Sequence, residues 1–429
     1  MTTPDPAAAE RSARTWAWVL VLLGGLGFVL VAWLRVPWQW LPDGQQITPV
    51  SPSEVFTHAQ LVRADDYASA QRTLSLTSYA VSLLVTFALG FTPLGARLLG
   101  RLRGWWWVRV TLGCFLLLLL GEVVTLPLAL LLRRNALRAG LTNQNLADWL
   151  RDDLVGLLVS TAFTAIGALV LIGLARRLPR IWPLCAGVLS ALLVVLGSFV
   201  YPLVVEPLFN TFTSLPSGSL RTSILRLADV EHVKIDDVLV ADASRRTTSL
   251  NAYVTGFGST RRVVLYDNTV NDLKQAEIES VVAHELGHAR HDDVLLGTIL
   301  GACGAALGVG LLALIVSLPG VRRRAGVTGI ADPRAVALLL ALTAAGSFLA
   351  SPVENTISRA IEARADLSAL EATRDPDAFV ELQKRLAISA LQQPAPPAWN
   401  QFWFGTHPTA VQRIGMARTF AKASDEAAR

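Results

Sequence analysis

Lysine is nearly missing from this 429-residue sequence: Lys234, Lys274, Lys384 and Lys422 stand against 34 arginines. Charge of either sign is scarce, at 17% of residues, where an ordinary soluble domain carries about 25%. The 38 basic and 33 acidic side chains leave a net charge of +5, too small an excess to mark a nucleic-acid-binding chain, so no nucleic-acid partner is expected. Cysteine is limited to Cys114, Cys185 and Cys303, all inside apolar stretches. That excludes a disulfide framework and a thiolate metal site, so any metal must be held by His and carboxylates.

What the sequence has in quantity is long apolar runs. With 52% hydrophobic residues it is neither a disordered chain nor a soluble globule with periodic amphipathic elements. Uncharged or nearly uncharged stretches cover residues 15–34, 74–96, 110–132, 154–175, 181–205, 294–321 and 335–353. Each has about 19 to 28 residues, enough to cross roughly 30 Å of hydrocarbon as a helix. The first exceeds a normal signal-peptide core, and no small-residue cleavage site follows at Trp33-Leu34-Arg35, so it reads as a retained helix. The lipid bilayer is therefore an expected partner.

Two blocks are too polar for lipid, 206–293 and 354–429, and are expected to fold together outside it. The chain divides accordingly into 1–205 with five helices, 206–293, the two further membrane helices in 294–353, and 354–429. Strand-like runs occur at Asp237–Ala241 and Arg262–Tyr266, and Gly258-Ser259-Thr260 reads as a hairpin turn before the second. The proline-rich stretch 393–399 reads as a loop, and 1–10 and 424–429 as frayed tails.

Residues 272–291 read as a helix carrying His284-Glu285-Leu286-Gly287-His288. Two His at i and i+4 project from one helical face and can share a tetrahedral ion, while Glu285 beside the first can reach a water on that ion. Catalysis needs a third protein ligand and an open fourth position. Asn355, Arg359, Glu362 and Asp366 recur along one helical face just after the last apolar run. Such a stripe alone is equally a solvated surface. Next to the His pair, Glu362 becomes the candidate third ligand, and Asp366 one turn on can fix the tautomer of a ligating imidazole.

These residues resemble the type I CAAX prenyl endopeptidases, integral-membrane zinc proteases with HtpX-type quality-control enzymes among their relatives. The resemblance runs through Leu126-Pro127, 140–144, 207–212, 251–258, 264–267, His284–His288, Ser358-Arg359 with Glu362 and Ala365-Asp366, and His407-Pro408 with Arg413. It implies a mainly α, multi-pass membrane protein with about seven transmembrane helices around a chamber, and a small α+β, gluzincin-like zinc metalloprotease domain. It further implies one Zn2+ per chain on His284, His288 and Glu362, with Glu285 as general base and Asp366 behind the ligands. His407 and Arg413 match the family's C-terminal active-site pair.

On this reading a metal-activated water hydrolyses a peptide bond, Glu285 carries the proton and His407 is a second donor to the oxyanion. A loop His at the surface is the plainer account of His407. Asn251 and Ala252 open an extended segment, 251–257, whose edge can bind substrate backbone or serve merely as a hairpin. Arg359 can meet a substrate carboxylate or pair with Glu362 or Asp366, and Arg413 joins the expected substrate-binding set. Glu122 lines a hydrated chamber or snorkels. The charges around the His-Glu motif exclude a site buried in lipid.

The expected substrates are peptides or proteins, possibly lipidated or membrane-embedded, reached in C-terminal processing or in clearance of membrane proteins. The alternative is a multi-span transporter or receptor with a structural zinc, its fourth position filled by His291 or Asp293. Arginine richness points to a bacterial plasma membrane. The loops bearing Arg97, Arg101, Arg103 and Arg109, then Arg176, Arg177 and Arg180, then Arg322, Arg323, Arg324 and Arg334 alternate onto one side. The positive-inside tendency makes that side cytoplasmic and the zinc domain external; the family resemblance implies the reverse.

Overall fold

The structure, a computed structural model, describes residues 5–39, 47–256 and 258–427. Seven helices among these are long and apolar enough to cross a bilayer. Spans one to seven are Ala7–Arg35, His58–Phe91, Trp106–Ala139, Leu146–Arg177, Trp182–Leu208, Asp293–Ser317 and Pro333–Thr373. The number agrees with the sequence, but two ends move inward. Span two stops at Phe91, where Thr92 turns extended and Pro93 opens a separate helix, Pro93–Gly100. Span six stops at Ser317, before Pro319 starts Pro319–Ala325. Proline has no N–H to continue a helix but fits its first turn.

Span two has 34 residues and span seven 41, about 50 to 60 Å of helix against about 30 Å of hydrocarbon. The surplus lies at the start of span two, the end of span three, the start of span four and the end of span seven. All four project toward the polar blocks, carrying Asp65, Arg133, Asp152 and Glu362 with them. Spans two to seven pack in a ring, each against the next and seven against two, while span one lies against six and five. Helices packed at about 9 to 10 Å around a six-membered ring place opposite axes about 20 Å apart, so such a ring has an interior. At the arginine-rich end that interior is closed by a core including Val110, Ile172, Trp182, Val316 and Leu338.

Beyond the other end sits a four-stranded sheet, β1 (Phe212–Ser214), β2 (Asp237–Ala241), β3 (Ala252–Thr255) and β4 (Arg262–Tyr266), in the order β1-β2-β4-β3. β2 and β4 fall on the expected runs. They are parallel, with Val238 opposite Val263, and β3 returns antiparallel through a turn at Gly258–Thr260. Phe257, inside the expected edge segment, lies outside the described residues. Val238, Ala252, Val263 and Leu265 pack on Ile224 and Leu227 of Ser219–Val230 and on Ile278, Val282 and Leu286 of Gln275–Arg290. β3 is an edge strand of this sheet.

The expected tails are partly helical. Asp5 accepts from Ala7 N at 3.0 Å and caps a helix that begins at Pro6, and Glu10 pairs with Arg322 at 3.2 Å. Residues 1–4 and 428–429 lie outside the described residues. The C-terminal helix Ala410–Ala427 docks on the segment after span one through Val50 N to Val411 O, 3.3 Å. Gln393 to Pro397 is a loop as expected; Ala398 and Trp399 already belong to the short helix Ala398–Phe404.

Candidate metal centre

Helix Gln275–Arg290 is shorter than the sequence suggested, because Asp267–Asp272 forms its own turn and the break at Leu273-Lys274 is capped by Glu277 accepting from Lys274 N at 2.9 Å. Glu277 is buried and paired with Arg385 at 3.0 Å. One face of the helix buries Ile278, Val282 and Leu286 against the sheet; His284 and His288 project from another, and Glu285, at its border, lines the same cavities. The second half of the site comes from one continuous helix, Val336–Thr373, which leaves the membrane and runs on through Glu362 and Asp366. The chain's division at 353/354 therefore falls inside a single helix. Gly287 lets the two helices close: a Cβ there would lie 2.9 Å from Ser368 Cβ.

His284 Nε2, His288 Nε2 and a Glu362 carboxylate oxygen meet at one point. The two nitrogens are 3.2 Å apart, His284 Nε2 is 3.1 Å from Glu362 Oε2, and His288 Nε2 is 3.6 Å from Oε1. Ligands held at about 2.0 to 2.1 Å on a tetrahedral ion stand about 3.3 to 3.4 Å from one another, so these spacings suit a small divalent cation. Each ring is also committed on its far side. His284 Nδ1 lies 2.9 Å from Asp366 Oδ1, approached obliquely, and His288 Nδ1 lies 2.9 Å from Asp293 Oδ2. With each Nδ1 facing a carboxylate, the two Nε2 atoms are left to share a positive charge between them, a proton or a metal ion.

The electrostatics agree with that shared charge. Burial alone would lower the His288 pKa, but its bonds to Asp293 and Glu362 outweigh it and push it up to about 10. Burial alone would raise Glu362, yet contact with both imidazoles holds its carboxyl far below the ordinary range. The same negative field that binds a proton will bind a metal ion, since both compete for these lone pairs. Glu285 is different: burial dominates and keeps its carboxyl above the usual carboxylate range.

The carboxylates behind the rings are themselves braced. Asp366, fully buried, takes Nε of Arg413 at 2.8 Å and a second, shorter contact from the same guanidinium. Asp293 is bound by Arg364. Arg413 is thus held behind His284 by Asp366. Arg359 does not pair with Glu362 or Asp366: it donates to the carbonyls of Gln401 (3.0 Å) and Gly405 (2.6 Å), and Asn355 to that of Trp403 (2.7 Å). The polar stripe thus splits, its first half fastening the loop that carries His407 and its second half building the centre.

That loop brings His407 Nε2 to 3.2 Å from Glu362 Oε2, with Nδ1 against Thr406 Oγ1 at 2.9 Å. Two cavities meet at the centre. One of 120 Å³ is lined by Asn251, His284, Glu285, His407 and Arg413; the other, of 370 Å³, by Val254, Glu285, His288, Glu362 and His407. Asn251 is exposed just before β3, and Ala252 is buried with its backbone in the strand. His291 turns away to Ser368 Oγ at 3.3 Å, and both Asp293 oxygens are occupied. Neither supplies a fourth ligand. Among the described residues the only cluster fit for a metal is His284, His288 and Glu362.

Sequence reasoning passed over Arg364 and gave Asp293 no part in the centre except in the alternative, as a filler of the fourth metal position. Asp293 starts span six, beyond a left-handed Asp292 (φ 53°), so helical spacing from His288 does not predict where it returns. Glu122 lies exposed in the middle of span three, outside the centre.

Residues 214–421 match the family model of peptidase family M48, and residues 38–211 match the CAAX prenyl protease N-terminal model with its five membrane helices. The uncharacterized metalloprotease YhfN of Bacillus subtilis is 29% identical over 388 residues, covering 87% of this chain and 89% of that protein. The CAAX prenyl protease 1 homolog of Arabidopsis thaliana is 32% identical over 221 residues, 50% of this chain and 51% of the plant protein, about half of each. The crystal structure of S. mikatae Ste24p superposes with a TM-score of 0.75 at 21% identity over 97% of this chain and 100% of that one, a shared fold. The chain belongs to the M48 peptidases with a CAAX prenyl protease-type membrane domain, and is an integral-membrane metalloendopeptidase.

Proposed function

We propose that the metal is a single zinc ion held by His284, His288 and Glu362, and that the chain cleaves peptide bonds of membrane-associated proteins at this centre. The observation that supports the reading most is the pair of imidazoles whose Nδ1 atoms are both committed to carboxylates while their Nε2 atoms converge with Glu362. Zinc bound there would act as a Lewis acid, making water a nucleophile near neutral pH and polarising the scissile carbonyl. Glu285, on the cavity side of the same helix, accepts the proton of the attacking water and returns it to the leaving amine. Its raised pKa suits both duties. His407 lines the same two cavities and donates to the developing oxyanion. Asp366 and Asp293 hold the rings, and Arg413 and Arg364 hold those carboxylates in place.

Substrate would lie along the free edge of β3, its backbone paired from Ala252 onward so that main-chain bonds position it with little side-chain preference. The ring of spans offers membrane-embedded segments a way to this edge. The relatives include CAAX prenyl proteases by name, yet the centre contains nothing that requires a prenyl group, so C-terminal processing and clearance of membrane proteins use the same chemistry. The Bacillus relative supports a bacterial plasma membrane.

The test is Glu285→Gln, which removes the base and leaves the ligands. It should bind zinc stoichiometrically, read by elemental analysis, and lose cleavage of a membrane-protein substrate by about three orders of magnitude or more, as when a catalytic proton acceptor is removed. Undiminished cleavage would sink the mechanism. For the membrane side, the basic loops are taken as cytoplasmic and the zinc domain as external. A cysteine placed at exposed Lys422 should be labelled in intact cells by a membrane-impermeant thiol reagent; labelling only after lysis reverses the orientation.

A further inference from the structure

At the end of the molecule farthest from the metal, the start of span three, the end of span four and the segments after spans two and six line a wide, open recess of 600 Å³. Three guanidiniums line it: Arg109 in the first turn of span three, Arg176 in the last turn of span four, and Arg334 beside the start of span seven. Asp332 is the one carboxylate in its wall, and Arg334 covers it with bonds of 3.0 and 2.7 Å. Three positive charges against one negative leave the cavity at +2.

The remaining two arginines are placed but not neutralised. Arg176 lies 5.4 Å over the ring of Trp106 and donates to Ala331 O at 3.0 Å, which fixes its plane without an acid. The Arg109 guanidinium has no hydrogen-bond or ion-pair partner among the described residues, although its Nε is out of contact with solvent. A partly buried guanidinium without a partner is costly, and the cost is removed by an anion in the cavity. Every cation of this end of the chain is arginine, and all four lysines lie in the polar blocks at the other end. Arginine's planar fork suits two oxygens of one phosphate.

The depth of the cavity selects the source of that phosphate. Trp105 and Trp107, flanking the ring under Arg176, are 72% and 46% exposed, and exposed tryptophans at the end of a membrane span sit at head-group level. We propose that this cavity binds the phosphate of an anionic phospholipid head group, held between Arg109 and Arg176. The bound lipid ties spans three, four and seven together where the ring of helices is closed.

The test uses the full chain in nanodiscs of phosphatidylcholine, with and without phosphatidylglycerol, read by lipid co-purification and thermal unfolding. Phosphatidylglycerol should be retained at one per chain and raise the melting temperature. The double variant Arg109→Gln/Arg176→Gln should bind it about tenfold or more weakly, as expected when charge-assisted bonds are lost. Arg101→Gln/Arg103→Gln, which removes two exposed charges of the same face outside the cavity, should bind as the parent does. Arg109→Lys/Arg176→Lys, keeping charge but not the fork, should fall between, and it carries the test if the Gln pair does not fold. Equal losses from the cavity and surface pairs would reduce the effect to surface charge and overturn the proposal. So would no preference for phosphatidylglycerol, or protection by inorganic phosphate alone with none from the lipid.

Discussion

The two histidines of the metal centre are braced by matching sets of groups drawn from different regions. Behind His284 stand Asp366 and Arg413, both from the second polar block, the carboxylate fully buried and the guanidinium mostly so. Behind His288 stand Asp293, the first residue of span six, and Arg364. One helix feeds both flanks, giving Glu362 to the proposed metal site, Asp366 to one side and Arg364 to the other. The flanks differ in water. Asp366 is fully buried and Arg413 keeps 12% of its side-chain surface, against 7% for Asp293 and 20% for Arg364, a modest but consistent difference. The His284 flank thus belongs to the folded core of the protease unit, and the His288 flank joins that unit to the mouth of the membrane domain.

Breaking the buried flank should have the larger effect. Asp366→Asn weakens the acceptor that orients His284 and leaves Arg413 as an uncompensated buried charge. Zinc affinity, measured by chelator competition, should fall about 10- to 100-fold. The metal-free protein should lose about 3 kcal/mol or more, seen as a lower unfolding midpoint. Unchanged affinity would mean that Asp366 serves packing alone.

Asp293→Asn is the matched change on the wetter flank. Its zinc affinity should drop toward the lower end of the same range, about tenfold, with a smaller stability loss because solvent reaches the freed Arg364. A larger loss than that of Asp366→Asn would reverse the ranking and make the junction with span six the main support of the centre.

The two flanks were also unequally visible in the sequence. Asp366 could be found because it shares a helix with Glu362 at a spacing of four, and such spacing fixes a common face. Asp293 could not, since Asp292 turns left-handed between it and His288 and no periodicity crosses that turn. The same distinction runs through the fold. The seven spans and strands β2 and β4 announce themselves as apolar runs, whose burial is local to the run. The three-residue β1 and the loop held by Arg359 depend on partners that arrive from elsewhere in the chain. The polar stripe 355–366 was visible as a face, but which of its members reaches the His pair is set by the helix crossing, where Gly287 meets Ser368.

The smallest effect tests whether the arginines matter by themselves. Arg364→Ala removes the brace from Asp293 but leaves its bond to His288 Nδ1 in place. Asp293 retains little exposure of its own, at 7%, but the space vacated by a partly exposed guanidinium admits water. The carboxylate then keeps a hydrogen-bonding partner and continues to accept from the ring. Because a pair in contact with solvent is worth about 0 to 1 kcal/mol, zinc affinity should fall by no more than about fivefold, well short of Asp293→Asn. A loss equal to that of Asp293→Asn would show that the carboxylate cannot orient His288 without its arginine. The His288 flank would then be a coupled unit as dry as the one behind His284, and the difference in water between the two flanks would have no energetic consequence.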